Sequence, residues 1–108
     1  MPLFIKTEKF KDKTLELSNI ERKKFLLMHK EWVKNISKSG QYIHSGYLIN
    51  EKKMPGGGGL LILEAKDYST AKKILENYPM IKYDLGIWEL QEWISIEGTK
   101  PSLSNHLG

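Results

Sequence analysis

No cysteine occurs among the 108 residues, so disulfides and thiolate metal sites are excluded, which suits a reducing compartment. No apolar run approaches the ~20 residues that a membrane-spanning helix needs. The opening Met-Pro-Leu-Phe-Ile-Lys-Thr-Glu-Lys-Phe lacks the sustained apolar core and the small-residue cleavage site of a signal peptide. A cytoplasmic protein with no membrane partner is the expectation. Charge of one sign is also scarce: 17 Lys and Arg stand against 13 Asp and Glu, a net +4. The lysines are mostly interleaved with acids, as in Glu8-Lys9, Glu21-Arg22-Lys23-Lys24 and Lys30-Glu31. A nucleic-acid surface needs its basic residues segregated onto one face. These charges read as a solvated exterior.

What is present is enough for one core. The length fits a single domain, residues 1–98, followed by a polar C-terminal tail, residues 99–108. Three Trp, five Tyr and three Phe supply the burial that offsets ordering entropy. Leu3 to Phe10 alternates as a strand. Ser18 and Glu21 have capping-box spacing, and Phe25, Met28, Trp32 and Ile36 then recur as one stripe of an amphipathic helix. Lys38-Ser39-Gly40 ends it, glycine suiting the left-handed C′ position.

Tyr42 to Asn50 reads as a second strand, with Gly46 marking a bulge or a close backbone approach. Glu51 to Gly59 reads as a loop, and Leu60-Leu61-Ile62-Leu63 as a buried strand. Asp67 caps a second helix with the stripe Ala71, Ile74, Leu75 and Tyr78, stopped by Pro79. Gly86 to Ile96 alternates as a last strand with apolar residues on both faces. The order βαββαβ implies an α+β, ferredoxin-like fold: a four-stranded antiparallel sheet with two helices on one face. The open face then needs a cover, and the economical one is a second copy about a two-fold axis.

His29 falls between Phe25 and Trp32, inside the apolar stripe. An imidazole there is either a structural group bonded to a backbone carbonyl, or an acid/base or ligand donor at a pocket wall. Met54-Pro55-Gly56-Gly57-Gly58-Gly59 resembles a phosphate cradle but lacks the terminal Lys and Ser/Thr and the helix that such a loop requires. It reads as a hairpin loop, or as one that closes over a pocket. His44 and His106 share no close spacing with His29 or with each other, which disfavours a metal, and no cofactor motif is present. The third strand, Gly-Leu-Leu-Ile-Leu-Glu-Ala, holds no ring to stack on a base, so a nucleic-acid partner is not expected.

The pattern resembles the YCII (YciI-like) family of dimeric α+β barrel proteins. The resemblance rests on Arg22 and His29 in the first helix, Ser39-Gly40, Ser45-Gly46-Tyr47, Gly57-Gly58-Gly59-Leu60, Asp67 to Ala71, the proline after the second helix, and Gly86-Ile87-Trp88-Glu89. It implies a homodimer formed through the open sheet faces, and a small-molecule pocket between helix and sheet. It also implies acid/base chemistry of lyase or isomerase type without a cofactor, and one branch of the family eliminates chloride from a chlorinated hydroxyquinol. By the same resemblance His29 is the catalytic group, and Arg22, Trp32, Tyr47, Gly58 and Tyr78 contact the ligand. The family pairs the helix histidine with an aspartate just before the proline, where this chain has Tyr78. A phenol can orient an imidazole but does little for its basicity. The alternative is a non-catalytic binding or interaction module that has lost the His-Asp pair.

Overall fold

The computed structural model describes residues 1–98; the expected tail, 99–108, lies outside the described residues. Four strands, β1 (Leu3–Phe10), β2 (Ile43–Ile49), β3 (Pro55–Glu64) and β4 (Gly86–Trp93), form one antiparallel sheet in the order β2-β3-β1-β4. Four helices connect them: α1 (Asp12–Leu15), α2 (Asn19–Lys38), α3 (Tyr68–Leu75) and α4 (Pro79–Lys82). This is the ferredoxin-like α+β fold expected from the element order, with two extra single-turn helices.

The local signals act where the sequence places them. Ser18 Oγ accepts from the Glu21 N–H, and the Glu21 carboxylate accepts from the Ser18 N–H, closing the capping box that starts α2. Gly40 takes φ +89° just beyond the helix, a conformation costly for any residue with a Cβ. Asp67 Oδ1 accepts from the Thr70 N–H and caps α3. Pro79 does more than stop a helix, because it stands at the first position of α4, where its missing N–H is harmless. Tyr78 therefore lies outside α3 and serves as the N-cap residue of α4.

The glycine segment departs from the loop reading. Only the turn around Glu51–Met54 is loop, tied by Asn50 Oδ1 accepting from the Lys52 and Met54 N–H groups. β3 begins at Pro55, with Gly58 and Gly59 paired to β1 and Gly59 also to β2. A Cβ on Gly58 would collide with the Glu8 carbonyl oxygen, so here glycine serves close strand approach rather than flexibility. The expected irregularity in β2 falls between Tyr47 and Ile49 rather than at Gly46.

On the helix-bearing side of the sheet, Phe4, Leu61, Leu63, Ile43 and Leu90 meet Ala71, Leu75 and Tyr78 in the core. Trp32, Val33 and Ile36 of α2 pack on it from above. No residue of α2 is fully buried, so this helix is a cover over the sheet and not a core element. None of the described helices is long and apolar enough to cross a membrane.

Candidate functional site

Strand alternation puts Phe4, Lys6, Glu8 and Phe10 on one face of β1, and that face is the one under the helices. Lys6 is 0% exposed and Glu8 8%. The reading of the charges as a solvated exterior fails for these two. Flanking Phe4 and Phe10, two residues away on the same face, carry the signal that could have revealed them.

Lys6 Nζ stands 2.9 Å from Glu8 Oε1, a close charge contact that is not aligned as a hydrogen bond. The Tyr78 hydroxyl donates to the same Oε1 at 3.3 Å. Lys6 Nζ also sits over the Tyr78 ring, 3.9 Å from its centroid, a cation–π contact strengthened by the absence of water. Two glycines make room for the carboxylate. A Cβ on Gly59 would lie 3.1 Å from Glu8 Oε1, and one on Gly86 would lie 3.1 Å from Oε2. That second oxygen is buried and has no hydrogen-bond partner among the described residues.

α2 supplies the roof. The His29 ring meets the Tyr78 ring edge-on with centroids 5.1 Å apart, and Trp32 meets it at 5.0 Å. Burial holds the His29 pKa below its ordinary value; the Lys6 and Lys30 ammonium groups lower it further, and Glu8 opposes them. The imidazole is thereby biased to its neutral form. Burial pushes the Tyr78 phenol up, with the Glu8 carboxylate adding to the shift and Ser45 opposing it. Burial also lowers Lys6, against the pull of Glu8. The arrangement sets a buried cation, anion and phenol in mutual contact beneath a partly buried imidazole, a grouping of titratable side chains of the kind acid/base sites use.

The other residues picked from sequence are placed differently. Tyr47 shares the helix-bearing side by alternation but is 65% exposed. Gly58 lies in β3 against the Glu8 backbone. Arg22 is outside the cluster: its guanidinium donates to the carbonyl oxygens of Leu15 and Leu17 and holds the α1–α2 turn. Asp67 caps α3, and Asp84 pairs with Lys11 and Lys13, so the carboxylate beside Tyr78 is that of Glu8. His44 is exposed on β2, and His106 lies outside the described residues. No group of three metal-ligating side chains occurs among the described residues.

No family model and no curated protein matches the chain. Among solved structures it is similar to a 5-chloro-2-hydroxyhydroquinone dehydrochlorinase from Burkholderia phenoliruptrix AC1100 in complex with 2,5-dihydroxybenzoquinone. The two share 21% identity over 85% of this chain and 93% of the other, with a TM-score of 0.63. At that identity the likeness establishes the fold.

Proposed function

We propose that this chain is a YCII-like small-molecule enzyme of lyase or isomerase type, in which His29 acts as the proton-transfer group and the buried Lys6–Glu8 pair behind Tyr78 tunes its surroundings. The observation that carries the reading is the buried Lys6–Glu8 pair beneath His29 and Tyr78. Two charges taken out of water cost several kcal/mol each before their attraction is counted. A chain needing only a core would be better served by apolar residues at both positions. Charges kept at such a cost, beside a neutral imidazole and phenol, are what acid/base sites use. The Glu8 carboxylate touches the Tyr78 hydroxyl and supplies negative charge near His29, the part that an aspartate before the proline plays in the resembled family.

Chemically, a neutral imidazole at His29 can take a proton from an acidic C–H or O–H. On this reading the Tyr78 ring and the Lys6–Glu8 pair behind it set the electrostatic surroundings of His29 and do not touch the substrate themselves. Trp32 gives a flat apolar wall suited to a ring. The structural neighbour's hydroxylated, ring-containing compounds make chlorinated and unchlorinated hydroquinones, together with lactones, the first substrates to test. We expect turnover of at least one of them, with His29→Ala and Glu8→Gln each lowering kcat/KM by about 100-fold or more. Unchanged turnover in His29→Ala excludes His29 from the chemistry.

A second reading has its own observation. Tyr78 is 2% exposed and fills the space between His29, Trp32 and the Lys6–Glu8 pair, as a side chain does in a site closed to substrate. On this reading the chain is a dimeric binding or interaction module. Tyr78→Asp separates the two: gain of activity marks a decayed enzyme, and an inert, folded variant favours the module.

A further inference from the structure

The net charge of the chain resides on one helix. α2 holds six of the 17 basic residues and two of the 13 acidic ones, so it alone accounts for the +4 and the rest of the chain is balanced. The distribution around its axis is uneven as well. At ~100° per residue, Phe25, Met28, His29, Trp32, Val33 and Ile36 turn toward the sheet, and these are its partly buried residues. The opposite side carries five exposed lysines, Lys23, Lys24, Lys30, Lys34 and Lys38, against a single acid, Glu31. No ion pair engages any of the five among the described residues. In their midst Ile20 and Leu27, two turns apart on one line, are 82% and 58% exposed. A helix of 20 residues makes this a strip about 30 Å long.

We propose that the outer face of α2 is a docking surface for an anionic lipid bilayer, with the lysines on acidic headgroups and Ile20 and Leu27 dipping between them. Charge complementarity favours an anionic partner. The choice of lipid over nucleic acid rests on three features. Exposed Ile and Leu gain from a headgroup layer and gain nothing from a phosphodiester backbone. The arginine of this helix, Arg22, is already spent on the Leu15 and Leu17 carbonyls and is not free for bidentate base or phosphate contacts. No aromatic ring lies on the outer face to stack on a base. The association is peripheral, since no described helix can span a bilayer. It requires nothing of the Lys6–Glu8 cluster and holds whether or not that cluster is catalytic.

The test is co-sedimentation of the full chain with vesicles of phosphatidylcholine alone and of phosphatidylcholine mixed with phosphatidylserine. Binding is expected to the mixed vesicles and not to the neutral ones, and to fall at least tenfold between low salt and ~1 M salt, where the Debye length shrinks to ~3 Å. The triple variant Lys23→Glu, Lys30→Glu, Lys34→Glu is expected to lose binding. Ile20→Ser with Leu27→Ser keeps every charge and is expected to weaken it several-fold. All five positions are exposed, so circular dichroism should confirm that both variants stay folded. Three results each overturn the proposal: no binding to the mixed vesicles, equal binding to the neutral ones, or a serine pair that binds mixed vesicles as well as the native chain. Duplex DNA that binds more tightly than the mixed vesicles at equal phosphate would reassign the surface to nucleic acid.

Discussion

At the scale of single residues, the Lys6–Glu8 contact sets the rules for everything near it. Removing one partner leaves the other buried without compensation, which typically costs about 3–5 kcal/mol. Lys6→Met and Glu8→Gln are each expected to lose stability of that order in urea titrations. The Lys6→Met, Glu8→Gln double variant should lose clearly less than the sum, since no uncompensated charge remains. Additive losses would mean that the two side chains do not act as a pair. His29 has a linked signature. Its folded pKa lies below the ordinary 6.5 because partial burial withdraws it from water and the Lys6 charge opposes its protonation. Above that value both folded and unfolded states are neutral and His29 contributes no pH dependence. As pH falls below 6.5, the unfolded chain takes up the proton first and stability declines, until the folded pKa is reached. His29→Asn should flatten that part of the stability curve between pH 7 and pH 5. A variant that declines as steeply as the native chain would show that His29 is not the group responsible.

At the scale of elements, the sequence was most legible where local chemistry decides the structure. The Ser18–Glu21 capping box, Gly40 beyond α2 and the Asp67 cap of α3 all act at the predicted positions, because a cap is settled by a few neighbouring residues. β1 runs over Leu3–Phe10 as its alternation implies. Interleaved charge was the misleading signal. Lys6 and Glu8 look like solvent-facing residues in a list of charges, and only their spacing from Phe4 and Phe10 marks the face they share. Their partners, Gly59, Gly86 and Tyr78, come from three other segments, so the cluster cannot be read from any one stretch. Tertiary contact likewise overrode the glycine run. Its composition suggests a loop, yet Gly58 and Gly59 are strand residues pressed against β1 and the Glu8 carboxylate. This gives a contrast between two glycines. Gly58→Ala should destabilise strongly, by roughly 2–4 kcal/mol, as an overpacking change that forces β1 and β3 apart. Gly46→Ala has nothing within 4 Å of the added methyl and should shift stability by under about 1 kcal/mol. Denaturant midpoints of the two variants measure the difference, and similar midpoints would contradict the strand assignment.

At the scale of the whole molecule, one copy leaves a mixed sheet face with exposed apolar side chains opposite the helices. Opposite the helices, Ile5, Leu60 and Ile62 form the middle of the open sheet face, while Ile87 and Trp93 on β4 are 67% and 38% exposed. Exposed apolar side chains grouped on one face mark a candidate contact surface, and a sheet face presented to its own copy about a two-fold axis buries every such residue twice. This is the homodimer that the sequence resemblance implies, and its consequences can be measured apart from any activity. Sedimentation velocity of the native chain at micromolar concentration should give a dimer. Ile87→Lys puts a charge into the interface on both subunits at once, and a penalty of only ~1.4 kcal/mol already weakens association tenfold. Dissociation to monomer in the same concentration range is therefore expected. Because Ile87 lies on the open face, away from the core that packs Phe4 and Leu61, the monomer should keep its helical signal and cooperative melting. A native chain that sediments as a monomer would leave the open face uncovered in solution and remove the second subunit from any account of the pocket. An Ile87→Lys variant that stays dimeric would instead move the contact to another surface of the chain.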